Sequence, residues 1–150
     1  RRGIRVVHTR FGVILTPAGG ALATMLVPFR LGLGGRLGSG AQYWSWITLD
    51  DAVSAIAHAI ATDGLAGPVN VVAPTPVTNR EFTATLGRVL GRPTLFPVPA
   101  FALRLLLGDM ARELLLASAR VIPARLLETG FGFRHPTLED ALRHLLSRQP

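Results

Sequence analysis

Few side chains in this 150-residue chain can take part in covalent chemistry or proton transfer. All sixteen of its Lys+Arg positions are arginine, so any step that needs an amine lies beyond it, whether a Schiff base or an ammonium beside a catalytic tyrosine. Tyr43 is the single tyrosine and Ile47 stands four residues on. Cysteine is absent, which removes thiolate nucleophiles, thiolate metal sites and disulfides. His8, His58, His135 and His144 have no H-x-x-x-H spacing and no neighbouring carboxylate cluster in sequence, so a zinc site is not expected. Ser39, Ser45, Ser54, Ser118 and Ser147 lack the G-x-S-x-G elbow of a hydrolase. Asp50 and Asp51 are adjacent at a helix start, where capping and the helix dipole account for them. What remains are groups that hold a ligand. Arg10 and Arg36 offer guanidinium forks suited to carboxylate or phosphate oxygens, Gln42 offers an amide, and Trp44 offers a face for stacking.

The composition narrows the field further. The formal net charge is +7, but the arginines are scattered and the aromatic residues are not interleaved with them, so a nucleic-acid partner is not expected. Mean hydropathy is positive, and the length suffices for a real core. No apolar run approaches the ~20 residues of a membrane span; the richest, Phe101 to Leu107, is broken by Arg104 and closed by Gly108-Asp109. A membrane partner is therefore not expected. Arg1-Arg2-Gly3-Ile4 lacks the long apolar stretch of a signal peptide and there is no initiator Met, so a fragment is expected, and the absence of cysteine fits a cytoplasmic protein.

These groups must be positioned by elements that the sequence pattern outlines. Arg5 to Leu15 is rich in β-branched residues and predicts a central strand ending at the turn Thr16 to Gly20. Ala21 to Phe29 predicts a short apolar helix. The run PFRLGLGGRLGSGAQYWSWITLDD, Pro28 to Asp51, predicts a Gly-rich hairpin, a strand Tyr43 to Ile47 and a helix start capped by Thr48. Val53, Ile56, Ala57 and Ile60 recur at helical spacing up to Asp63-Gly64. Pro68 to Val72 predicts a short buried strand. Thr78-Asn79-Arg80-Glu81 is a capping box that opens a helix stopping at Gly91. Leu95 to Pro99 is extended, and helices are predicted over Phe101 to Leu107, Asp109 to Ala117, Pro123 to Thr129 and up to Leu146. Phe131 and Phe133 anchor the loop before the last of these.

The segment from Gly32 to Asp51 resembles the G-x-G-x-x-x-R-D-F-V-H-V-x-D stretch of extended short-chain dehydrogenase/reductases, the relatives of sugar-nucleotide epimerases. VPAFALRLLLGDMARELLL and GFGFRHPTLEDAL resemble an atypical epimerase subfamily with a small C-terminal domain of unassigned role, the DUF1731 type. The resemblance implies an α/β fold, the second half of a Rossmann-like reductase from its sixth strand onward. It divides the chain into a reductase part, 1–92, and a small helical domain, 93–150. It also implies NADP or NAD in the complete protein, with none expected for this chain alone. The family's dinucleotide fingerprint opens a helix, whereas Gly32 to Gly40 leads into a strand. Its Tyr-x-x-x-Lys pair is absent too, so the acid/base groups are expected in a missing N-terminal half.

Thr9 to Val13 resembles the family's R-x-x-N turn, with Arg10 in the arginine's place and Val13 where asparagine is usual. On this likeness Phe11, Gly12 and Val13 border the nicotinamide, and Arg10, Arg36, Gln42 and Trp44 face the substrate. Sugar-nucleotide epimerases carry a diphosphate-clamping arginine at about the position of Trp44, so a flatter, less charged or aromatic small-molecule substrate fits as well. Arg10 in a structural ion pair, Arg36 as a solvated loop tip and the tryptophans as core residues are the competing structural readings. Asn70 resembles the asparagine of the family's Y-N-V strand, in a structural role. The alternative from a different class is a non-catalytic interaction module docking a partner through Phe101 to Leu127. Self-association stays open.

Overall fold

The computed structural model describes residues 3–101, 105, 113 and 116–147. Among them lie six short strands and five helices. In chain order these are β1 Val7–Phe11, β2 Val13–Leu15, α1 Gly20–Arg30, β3 Tyr43–Trp44, β4 Trp46–Thr48, α2 Leu49–Ala61, β5 Gly67–Val71, β6 Val77–Thr78, α3 Asn79–Leu90, α4 Ala124–Glu128 and α5 Leu138–Ser147. Strand β1 pairs in parallel with β5, and β2 in parallel with β4, while β3 and β6 pair antiparallel.

The predicted strand Arg5 to Leu15 is broken at Gly12. Up to Phe11 the partner is β5, and Gly12 N–H still reaches the Val71 carbonyl at 3.4 Å. One residue later Val13 N–H donates to the Ser45 carbonyl at 2.8 Å, and β2 continues on β4. A side chain at position 12 has no room: a Cβ built there collides with the Ser45 carbonyl oxygen and lies 2.9 Å from Val72 Cγ1. Glycine is what allows the chain to pass between two neighbours and exchange one for the other. The predicted strand Tyr43 to Ile47 divides in the same way at Ser45, between β6 and β2.

Alternation along the parallel strands sends side chains to two opposite cores. Leu15, Trp44 and Trp46 join Leu22, Leu26 and Phe29 of α1, Phe82 and Leu86 of α3, and Leu138, Leu142 and Leu145 of α5. On the other side Ile47, Val69 and Val71 join Ala52, Ala55 and Ala59 of α2 and Leu126 of α4, with Phe131 and Phe133 packed against them. Helices thus cover both faces of parallel pairings, which defines an α/β fold. The region after residue 92 enters both cores.

The helix ends follow local sequence. Thr78 Oγ1 accepts from Glu81 N–H and the Glu81 carboxylate accepts from Thr78 N–H, a complete capping box; Gly91 closes α3 in the left-handed region at φ 64°. At α2, Thr48 Oγ1 accepts from Asp51 N–H, but the fully buried Asp51 carboxylate is used elsewhere. It accepts from Arg134 N–H at 3.0 Å and His135 N–H at 3.1 Å, latching the loop before α5 onto the start of α2. Arg5 closes the far end of that helix by donating to the carbonyls of Ala59, Ile60 and Leu65.

The Gly-rich run forms no hairpin. Leu37 bridges Val98 in parallel, with Gly38 N–H donating to the Val98 carbonyl and Val98 N–H to the Arg36 carbonyl. Its partner lies sixty residues downstream, which local turn chemistry does not reveal. Gly35 is needed for that approach, because a Cβ there collides with the Phe96 carbonyl. The helices predicted over Phe101 to Leu107 and Asp109 to Ala117 lie largely outside the described residues. Among the described residues, no helix is long and apolar enough to cross a membrane.

Candidate functional site

Strand β1 ends at Phe11 and its parallel neighbour β5 at Val71, and both C-terminal ends open onto one cavity of about 920 Å3. Arg10, Phe11, Gly12 and Val13 form its floor, Thr24 and Met25 of α1 one wall, and Tyr43, Trp44 and Ser45 another. Asn70, Val72, Glu113, Ala119 and Val121 also line it. The location is the one expected in an open α/β fold, where ligands bind beyond the carboxyl ends of the strands. Gly12, where the chain exchanges β5 for β4 as its neighbour, borders the cavity.

The second wall is held rigidly. Ser45 Oγ donates to the Ala119 carbonyl at 2.7 Å and accepts from Val121 N–H at 2.8 Å. Tyr43 N–H donates to Ser118 Oγ, and Ala119 N–H to the Tyr43 carbonyl, both at 3.0 Å. The guanidinium of Arg120 sits 5.2 Å from the centre of the Tyr43 ring, within cation–π range. This stitching fixes the segment after residue 116 against the hinge between β3 and β4.

The predicted ligand-holding residues separate into two groups. Arg10, Phe11, Gly12, Val13 and Trp44 all border the cavity. Arg10 is exposed and, among the described residues, has no ion-pair partner. Trp44 is almost wholly buried, its ring edge-on to Phe82 at 5.1 Å, so it serves the core and the cavity wall together. Trp46 is a core residue whose indole N–H donates to the Thr75 carbonyl at 3.0 Å.

Gln42 and Arg36 are not brought to this cavity. Gln42 is buried, its side-chain amide donates to the Leu37 carbonyl and its main-chain carbonyl accepts from Asn79 N–H, so it braces the Gly-rich loop. Arg36 borders a separate cavity of about 330 Å3 with Arg80, Thr83 and Thr94. Asn70 lines the main cavity and its amide reaches the Ile122 carbonyl only at 3.5 Å, a weak tie. Glu113 and Ser45 were not singled out from sequence as ligand contacts. Glu113 is masked there by the leucines around it, and the bonds of Ser45 run to residues more than seventy positions away.

A parallel α/β arrangement with helices on both faces and a cavity beyond the carboxyl ends of its strands is a Rossmann-like architecture. Residues 98–145 match the family described as Domain of unknown function (DUF1731). The chain is 50% identical over 146 residues to an epimerase family protein of Mycobacterium bovis, covering 97% of this chain and 48% of that protein. It is 41% identical over 143 residues to a human epimerase family protein, covering 95% and 49%. Among solved structures, a human epimerase family protein crystallised with NADPH superposes with TM-score 0.91 at 40% identity, covering 97% of this chain and 49% of that one. A nucleoside-diphosphate sugar epimerase of Corynebacterium glutamicum superposes with TM-score 0.73 at 33% identity, covering 96% and 26%. The chain belongs to this epimerase family of extended short-chain dehydrogenase/reductases, in the branch with the DUF1731 domain. It spans about half the length of the curated relatives it matches.

Proposed function

We propose that the chain is the substrate-side portion of an NAD(P)-dependent epimerase or reductase, with its cavity receiving the substrate and the nicotinamide end of the cofactor. The observation that carries this reading is the position of the cavity beyond the carboxyl ends of β1 and β5, bordered by Gly12, where the chain exchanges one strand neighbour for another. Phe11, Gly12 and Val13 suit the nicotinamide edge, since all three border the cavity and the exposed Phe11 offers a face on which a flat ring packs. Arg10 orients an anionic or carbonyl oxygen of the substrate, and Trp44 contributes an apolar wall. For the pyrophosphate the sequence has no G-x-G-x-x-G turn. The bound nicotinamide supplies or accepts the hydride. Proton transfer is assigned to groups outside these 150 residues, since the chain has no lysine and its tyrosine lacks the Tyr-x-x-x-Lys partner.

The free edge of β1 supports the same reading. His8, Thr9, Arg10 and Phe11 are exposed, and among the described residues β1 is paired on one side only. Ile4 and Val6, at 80% and 52% exposed, extend this apolar edge. In the complete protein the edge pairs with the upstream half.

Titration of NADPH by its fluorescence tests the proposal. The complete protein is expected to saturate and the 150-residue chain to show no saturation. Phe11→Ala in the complete protein is expected to weaken binding several-fold, in keeping with loss of a ring contact worth about 0.5–1.5 kcal/mol. Tight NADPH binding by this chain alone would overturn the assignment.

A further inference from the structure

The fold assembles a cluster that sequence spacing hides, because its members come from positions 50, 135, 140 and 144. His144 Nε2 lies 3.1 Å from Asp50 Oδ2, and His135 Nδ1 lies 2.9 Å from Asp140 Oδ2. The two imidazoles face each other with centroids 4.1 Å apart and planes at 26°. One ligand atom from each of Asp50, His135 and His144 falls within 4.8 Å of the others. The imidazoles are largely shielded, their side chains 13% and 23% exposed, while Asp50, at 41%, leaves an approach from solvent.

We propose that Asp50, His135 and His144 form a binding site for a divalent transition ion of the zinc type. Two imidazoles and one carboxylate suit a borderline ion that takes nitrogen and oxygen ligands. An ionised Asp140 only accepts, so the Nδ1 bonded to it carries the proton and Nε2 keeps its lone pair. That is the carboxylate–histidine support found around metal-ligating imidazoles. Bonds of about 2.0–2.1 Å place tetrahedral ligands roughly 3.3 Å apart, so the group must close by up to about 1.5 Å. Rotation of the more exposed Asp50 side chain, with small shifts of the two imidazoles, supplies movement on that order.

The site joins three parts of the chain: the first turn of α2, the loop that Asp51 latches, and α5. Its expected effect is to fasten the C-terminal region onto the α/β body, because an ion bound only in the folded state raises stability. It does not depend on the cofactor reading.

The test is Zn2+ titration of the complete protein with thermal unfolding, and Co2+ absorption as a reporter of coordination. A saturable Zn2+-dependent rise in Tm is expected, together with d–d bands in the Co2+ form. His144→Gln and Asp50→Asn are expected to abolish both while leaving the metal-free protein folded by circular dichroism. Asp140→Asn is expected to weaken Zn2+ binding by about 10–100-fold. Failure of the unaltered protein to bind Zn2+ would overturn the proposal. So would binding that persists undiminished in H144Q and D50N, which would put the ion at other residues.

Discussion

Gly12 and Glu139 mark two different ways in which single residues matter here. At Gly12 the constraint is space, since a Cβ would meet the Ser45 carbonyl and Val72 Cγ1. Backbone does not yield as a flexible side chain would, so Gly12→Ala is expected to destabilise the protein by about 1–3 kcal/mol. Chemical denaturation measures this directly, and a neutral result would remove the close-packing account. At Glu139 the constraint is charge. Its carboxyl is held below its ordinary value, first by the hydrogen bond from Arg143 at 2.7 Å and then by that from Arg88 at 3.0 Å. A carboxyl with a depressed folded-state pKa contributes stability above its unfolded pKa and loses it as pH falls through the folded one. The stability difference between the unaltered protein and Glu139→Gln is therefore expected at neutral pH and to vanish under acid conditions. Denaturation midpoints followed from pH 7 into acid are expected to show the difference shrinking below the ordinary Glu value of about 4.3, as pH falls through the depressed folded-state pKa. The pair is exposed, so the whole effect is small.

Helix α5 depends on tertiary packing more than on its own propensity, as short helices do. Its Leu138, Ala141, Leu142 and Leu145 are buried in the core shared with α1 and α3. Leu142 is fully buried, so Leu142→Ala is expected to cost about 2–5 kcal/mol. A loss below about 1 kcal/mol, within the range of a surface substitution, would mean that α5 is only loosely applied to the body. The polar latch from Asp51 to the backbone of Arg134 and His135 then orients what the leucines bury. Burial supplies the energy, and two directed hydrogen bonds supply the register.

At the level of the complete fold, an open strand edge and a cavity at the same neighbour-exchange point belong together. Parallel strands are ordinarily covered on both faces and continued at their edges. The β1 edge is uncovered here, and the cavity beside it has a floor and two walls built from this chain. NADPH binding that appears only in the complete protein is the outcome this arrangement predicts, with the titration described above as its measure.

Local elements were legible in the sequence because they rest on short-range physics. The capping box at Thr78 and Glu81, the left-handed stop at Gly91 and the apolar spacing of α3 and α5 involve residues within a few positions of one another, whereas in α2 the periodic Val53, Ile56, Ala57 and Ile60 are exposed and Ala52, Ala55 and Ala59 face the core. The resemblance carried by Gly32 to Asp51 and by the C-terminal motifs likewise led to the α/β class and the family, and Arg10 to Val13 and Trp44 do border the cavity. Tertiary structure alone decided which neighbours the strands take. It split two predicted strands at Gly12 and Ser45, sent the Gly-rich run to Val98 instead of into a hairpin, and turned Gln42 inward. It also gathered Asp50, His135 and His144, which have no sequence spacing in common. The physical reason is the same in each case. Caps, periodicity and turn chemistry are written within a few residues, whereas strand pairing and side-chain clusters depend on contacts between segments whose separation along the chain leaves no local trace.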